Sequence, residues 1–291
     1  MHFDVWLPTA NPFATPEFLA AVARETEARG VHRIWVGEHL VVFDQYTSHY
    51  PYAPDGRMPI PPGAGLLEPF TTLSFLAAVT QDARLGTAMC LLPQRNPVYT
   101  AKEVATVDWL SAGRVDVGVG VGWLREEFAV AGVEWDRRGA RTDDYLGVLK
   151  ALWCDDPSSF SGTFYELPEC RFHPKPVQDP HPPIHIGGES DAALRRAARL
   201  GQGWHTFNRP PADLPPVLGR LDALLAEYGR RRADLEITVC PYFQPLDPSA
   251  TEAYAEAGAD AVAALLFAAS AEDVPAAFDL LEPCRERAAA L

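Results

Sequence analysis

The sequence contains no apolar run long enough to cross a bilayer. Its longest candidate, Ala261–Ala269, falls short of the roughly 18 to 20 residues a membrane helix needs. The first residues, Met1, His2, Phe3 and Asp4, hold no basic stretch ahead of an apolar one, so no targeting segment and a cytoplasmic location are expected. Positive charge is in short supply: 25 Lys and Arg stand against 39 Asp and Glu, a formal net charge of -14. That balance opposes neutralisation of phosphates and excludes nucleic acid and anionic membrane as expected partners. Cysteine is sparse and scattered (Cys90, Cys154, Cys170, Cys240, Cys284), with no C-x-x-C pair for a metal or a redox couple. His173, His181 and His185 sit among prolines, and four extended residues span about 13 Å, too far for two ligands of one zinc ion. No metal site is expected. The G-x-S-x-G elbow of a serine hydrolase is missing, and no G-x-G-x-x-G follows the first β-rich run.

What is present is a core-forming chain of 291 residues, 47% apolar and 10% aromatic. Eight β-rich runs recur along it: Phe3–Leu7, Arg33–Gly37, Arg84–Leu91, Arg114–Gly120, Ile184–Ile186, Gly203–Thr206, Glu236–Cys240 and Ala261–Phe267. Amphipathic stretches fall between them. Pro16–Arg29 is the clearest, with Phe18, Leu19, Val22 and Ala23 on one face, Thr15 as cap and Gly30 as stop. Others are Pro69–Thr80, Tyr99–Leu110, Arg141–Trp153, Ser190–Leu200, Pro215–Tyr228 and Val274–Ala290. Eight alternating strand and helix units close most simply as a (β/α)8 TIM barrel, read as one domain over 1–291. Two connections, about 39–68 and 155–183, exceed the usual length and read as rim insertions, the second a hairpin of Phe160–Phe164 against Cys170–His173.

Active sites of such barrels lie where the strands end at their C-termini, so the residues following each strand are the candidates. After the second comes Gly37-Glu38-His39, a carboxylate beside an imidazole that could serve as general acid or base, with Phe43 and Tyr46 close behind as pocket walls. A rim histidine bonded to a loop is the plain alternative. The third ends in the small-residue run Gly86-Thr87-Ala88-Met89, where a flat ring can approach the backbone or the interior can simply pack well. Gly118, Gly120 and Gly122 alternate around Val119 and Val121, leaving room on one face for a ligand or for a neighbouring strand. After the fifth, Gly187-Gly188-Glu189-Ser190 opens a helix whose N-terminus suits an anion, unless Ser190 merely caps it; the Glu189 charge opposes an anion unless it points away.

Together, these residues resemble the luciferase-like oxidoreductases, the (β/α)8 flavin and deazaflavin enzymes, and particularly the branch dependent on coenzyme F420. The carriers of the resemblance include Trp35-Val36-Gly37-Glu38-His39, Glu68-Pro69-Phe70, Leu92-Pro93-Gln94-Arg95-Asn96-Pro97, Leu110-Ser111-Ala112-Gly113-Arg114, Gly118–Phe128 and Ile186-Gly187-Gly188. The resemblance implies that Glu38 and His39 touch the redox ring and that His39 gives or takes a proton. It implies that Thr87, Ala88 and Met89 back the ring, with a cis peptide at Ala88–Met89. Val121 and Gly122 would line the polyol, and Gly187, Gly188 and Ser190 the phosphate.

Two departures stand out. Relatives oxidising alcohols or sugar phosphates look to carry Trp where this chain has Phe43 and Glu where it has Trp123, so a second catalytic carboxylate is missing. Glu126 or Glu127 could supply one from the following helix, although nothing in the sequence aims either inward. The expected activity is F420-dependent hydride transfer to or from a small organic substrate. An FMN-dependent monooxygenase and a non-catalytic flavin-binding barrel are the alternatives. Phe43, Tyr46, Trp123 and Trp204, with Tyr50, Tyr52, His205 and Phe207, suggest an aromatic pocket, and Arg57, Arg95, Arg125 and Arg195 are candidates for the acidic F420 tail. A homodimer is expected from the resemblance alone.

Overall fold

The computed structural model describes residues 1–291. Its eight long-range strands are β1 (His2–Leu7), β2 (Arg33–Val36), β3 (Arg84–Cys90), β4 (Val115–Val119), β7 (Ile184–Gly187), β8 (Gly203–Phe207), β9 (Glu236–Cys240) and β10 (Ala261–Leu265). They pair in parallel and close as a barrel in the order β1-β10-β9-β8-β7-β4-β3-β2. The TIM barrel expected from the strand and helix alternation is thus the fold. Around it lie α1 (Pro16–Arg29), α2 (Pro69–Val79), α3 (Pro97–Leu110), α4 (Arg125–Val130), α5 (Arg138–Cys154), α6 (Asp191–Leu200), α7 (Leu214–Glu227), α8 (Pro248–Glu256) and α9 (Val274–Ala289). None of these helices is long and apolar enough to cross a membrane.

Local signals account for the helix ends. Thr15 accepts from the Phe18 amide at the start of α1, and Gly30 ends it at φ 62°, where a side chain would be strained. Asn96 caps α3 ahead of Pro97, which places its start two residues before the expected Tyr99. Helix α8 was not expected; its signal was Asp247 before Pro248, with the Asp247 carboxylate accepting from the Ala250 amide. The hairpin forms as β5 (Ser158–Ser161) and β6 (Glu166–Cys170), a few residues from its expected place. Asp144 captures the Phe164 amide at 2.6 Å, and the Gly162 amide bonds the Tyr165 carbonyl at 2.9 Å, so the turn begins earlier.

The main apolar core fills the layer between barrel and helices. The barrel's N-terminal end is plugged by charge: Arg33 reaches Asp4 at 3.2 Å, Glu236 at 2.8 Å and Asp116 at 2.9 Å, and Arg84 reaches Asp116 at 2.6 Å. The Arg33 guanidinium outweighs burial and holds the Asp116 carboxyl far below the carboxylate range. Above this layer, Trp35 is edge-on to His185 at 5.2 Å and to His205 at 5.0 Å. The interior is filled from below, so a ligand has access only at the C-terminal end.

Candidate active site

A cavity of about 1070 Å3 opens at the C-terminal end of the barrel, roofed by the β2–α2 connection through Tyr50, Tyr52, Met58 and Ile60. His39 is on its wall, just beyond the end of β2. Its Nδ1 lies 3.2 Å from the carboxylate of Glu127, which comes from α4 and is 0% exposed. Glu127 also accepts from the Leu40 amide at 2.5 Å, the Val41 amide at 3.3 Å and Gln94 Nε2 at 3.2 Å. A buried carboxylate is costly unless such donors surround it. Because these oxygens accept, Nδ1 of His39 carries the hydrogen, and Nε2 has no partner within the chain. The sequence alone gave no way to choose between Glu126 and Glu127. The neighbouring Glu126 faces elsewhere and ties down the roof, accepting from the Thr47 amide at 2.6 Å and Ser48 Oγ at 2.6 Å. Those bonds, the Ser48 hydroxyl foremost, hold its carboxyl down at about 2.

Glu38 lines the same cavity, but its carboxylate is engaged, accepting from the Leu91 amide at 2.6 Å and Arg95 Nε at 2.7 Å. It joins the ends of β2 and β3 and leaves the free titratable atom to His39. Arg95 is shared with Glu68 and Glu103, and Arg195 pairs with Glu227 at 3.1 Å. Two of the four arginines that the sequence offered to an acidic tail are therefore already paired.

The cavity floor includes Ala88 and Met89, joined by a cis peptide, where the register of β3 against β4 shifts. The Ala88 carbonyl accepts from Trp6 Nε1 at 3.0 Å. Two of the alternating glycines, Gly118 and Gly120, together with Gly187, admit this bulge, whereas Gly122 makes room for the Phe128 ring. A Cβ on Gly118 would lie 1.9 Å from the Thr87 carbonyl oxygen, one on Gly120 3.0 Å from Met89 Cβ, and one on Gly187 2.6 Å from Met89 Cγ. Thr87 itself lies beneath the floor, with its hydroxyl donating to the Gly118 carbonyl. Val121 and Gly122 are on the wall.

At the end of β7, Gly188 turns the chain at φ 114° and Ser190 caps α6 through the Ala193 amide. The amides of Gly188, Glu189 and Ser190 bond nothing within the chain, and all three residues line the cavity. Free amides at the positive end of a ten-residue helix suit an anion. Glu189 does not oppose this: it turns to β8, accepting from Thr206 Oγ1 at 2.7 Å, the Phe207 amide at 3.1 Å and Arg209 at 2.5 Å. A bulged floor for a flat ring and a set of open amides for a phosphate together fit a flavin or deazaflavin coenzyme.

Four sequence candidates fall off the wall. Trp204 is fully buried and holds the Gly188 carbonyl through Nε1 at 3.0 Å. His205 is buried inside the barrel. Tyr46 sits behind the wall, with its ring 5.6 Å from that of Trp123 and its hydroxyl accepting from the Met58 amide, and Phe43 is not on the wall either. Trp123 does line the cavity and begins an aromatic arc. It is 5.7 Å from His39 and 5.0 Å from Tyr50; the arc continues through Tyr52, Phe207 and Tyr242 to Trp6, with neighbouring rings 5.5 to 6.4 Å apart. Sequence reasoning missed Trp6 and Tyr242. Trp6 was legible as an inward position near a strand end, whereas Tyr242 sits at φ 57°, a conformation no side chain of its type advertises.

Comparisons with known proteins bear on the family and the fold. The pattern defining the luciferase-like monooxygenases matches residues 1–287. An uncharacterised protein of Mycobacterium tuberculosis is 34% identical over 231 residues, 79% of this chain and 80% of that one. An FMNH2-dependent dimethylsulfone monooxygenase of Pseudomonas putida is 36% identical over 142 residues, 48% of this chain and 39% of its own length. The solved structure of an F420-dependent secondary alcohol dehydrogenase, with an F420-acetone adduct, has the same fold: TM-score 0.77, 18% identity, 99% of this chain and 98% of that chain covered.

Proposed function

The chain belongs to the luciferase-like monooxygenase family, and from that premise we propose that it is an oxidoreductase moving a hydride between coenzyme F420 and a small organic substrate. The hydride chemistry is the coenzyme's when bound. The chain contributes position, exclusion of water and a proton site. The observation that carries this reading is the His39–Glu127 pair, an imidazole on the cavity wall with Nδ1 held at 3.2 Å by a buried carboxylate. Hydride removal beside an O–H or N–H leaves a proton to be accepted, and the reverse reaction needs one donated. Nε2 of His39, free of partners, meets both demands. Glu127 fixes the tautomer that keeps Nε2 open.

In this reading Ala88 and Met89 support the ring, Val121 and Gly122 the polyol, and the Gly187–Ser190 turn the phosphate. Glu38 secures the β2 end beneath His39, and the roof clasped by Glu126 and Glu127 keeps water out. The test is His39→Ala in the F420-loaded protein: turnover falls at least about 100-fold while F420 affinity changes little. Unchanged turnover would remove His39 from the mechanism.

A second reading, an FMN-dependent monooxygenase, is favoured by the pairing of Arg95 and Arg195 with carboxylates. FMN carries a phosphate and no acidic tail, and the same floor, wall and turn would serve it. A barrel that only bound a flavin would still use Glu127 to hold the Leu40 and Val41 amides, but would have no use for the imidazole it also orients on the cavity wall.

A further inference from the structure

At about 1070 Å3 the cavity stands at the upper end of small-molecule sites, which run from about 300 to 1,000 Å3, and a redox site must hold a substrate beside its coenzyme ring. The remaining space is bounded by the aromatic arc that runs from His39 to Trp6. Such ring walls favour a flat aromatic guest over a flexible polar one.

The charges on the wall narrow the class further. The one arginine there, Arg209, is bonded to Glu189 at 2.5 Å, and Glu38 is bonded to Arg95. Apart from the α6 turn, which the proposed reading gives to the coenzyme, no free positive group waits for a substrate carboxylate or phosphate. An unpaired anion buried there would be strongly disfavoured.

One polar feature interrupts the arc. The hydroxyls of Tyr50, from the roof, and Tyr242, beyond β9, lie 3.0 Å apart. One hydrogen is used between them and the other has no acceptor in the chain. Burial pushes both phenols up, so both remain neutral donors. A spare O–H on an apolar wall calls for an acceptor.

We propose that the substrate of this site is an uncharged aromatic compound whose oxygen, as carbonyl, hydroxyl or ether, accepts the free hydrogen of the Tyr50–Tyr242 pair. This rests on the reading that the cavity is a redox site.

Equilibrium dialysis of the full chain, with and without F420, tests it using three matched probes: 2-acetylnaphthalene, its hydrocarbon isostere 2-isopropenylnaphthalene, and 2-naphthoate. The ketone is expected to bind about three- to tenfold more tightly than the hydrocarbon, and the naphthoate at least about 100-fold more weakly than the ketone. Either hydroxyl alone can still donate, so the decisive variant is the Tyr50→Phe, Tyr242→Phe double. It should abolish the ketone's advantage and leave hydrocarbon affinity unchanged. Equal binding of ketone and hydrocarbon, naphthoate binding as tight as the ketone, or a preference that survives the double variant would each overturn the proposal. The two readings fail separately: absence of F420 binding with the ketone preference kept would sink only the F420 assignment, whereas F420 binding without that preference would sink only the substrate class.

Discussion

Replacing Glu127 by Gln changes one oxygen to NH2 and removes one charge, at a residue 0% exposed and surrounded by four N–H donors. The Gln oxygen satisfies one side of that set. The new NH2 then meets another donor, His39 Nδ1–H or Gln94 Nε2. The conflict with His39 is relieved if its hydrogen moves to Nε2, so that Nδ1 accepts from the amide. That shift closes the free atom to which the mechanism assigns the proton. Losing a charged hydrogen bond of this kind costs about 1.5–3 kcal/mol, and at about 2–4 °C per kcal/mol the melting temperature should drop by several degrees. Nitrogen-resolved NMR of the His39 ring reads the tautomer directly, without a substrate. The wild type should show the hydrogen on Nδ1 and Glu127→Gln on Nε2, with a turnover loss on the order of 100-fold accompanying the change. A ring that carries its hydrogen on Nε2 in the wild type, or keeps it on Nδ1 in the variant with full turnover, would refute the reasoning.

Three further outcomes follow from the geometry. His205 is buried with both ring nitrogens unpartnered, and burial holds its pKa well below 6.5. The unfolded chain therefore binds the extra proton, and stability should fall as pH drops below about 6.5, by up to about 1.4 kcal/mol per pH unit from this group. His181 is shifted in the same direction. Asp116 and Glu236, shifted down, contribute stability that is lost only at more acidic pH. Melting curves at pH 5 and pH 8 check this: His205→Leu should narrow the gap between them, and an unchanged gap would exclude His205 as its source. Gly118→Ala places a methyl 1.9 Å from the Thr87 carbonyl; it should destabilise by at least about 1–3 kcal/mol in denaturant titrations and weaken coenzyme binding by displacing the bulge. Ser190→Ala loses the cap on the Ala193 amide, costing about 1 kcal/mol. Its effect on coenzyme affinity should stay below about tenfold, because open backbone amides form the anion site.

The barrel was legible because each of its strands carries a short β-rich run, and because helices such as α1, with Thr15 and Gly30 at its ends, mark the segments between them. Helix α8 was harder to see because only two of its residues, Thr251 and Tyr254, are buried, which leaves little apolar periodicity. Chain position after each strand led to His39, the small-residue end of β3 and the β7 turn, and the family resemblance added the cis peptide at Ala88–Met89. It could not give their partners. That Glu127 serves His39 while Glu126 grips Thr47 and Ser48 depends on how α4 turns beneath the roof, a tertiary fact written in no local pattern. Trp204 shows the converse, an aromatic residue beside the site whose ring the core claims, because it faces the helix layer from β8, opposite to His205, and holds the Gly188 carbonyl.

The most direct test of the central claim is a fluorescence titration of the purified protein with oxidised F420 and, in parallel, with FMN. The account predicts saturable F420 binding at least about tenfold tighter than FMN, a difference of about 1.4 kcal/mol, and weakened by Met89→Trp on the cavity floor. Tight FMN binding with weak F420 binding would contradict the hydride-transfer assignment and favour the monooxygenase reading; binding of neither would contradict both.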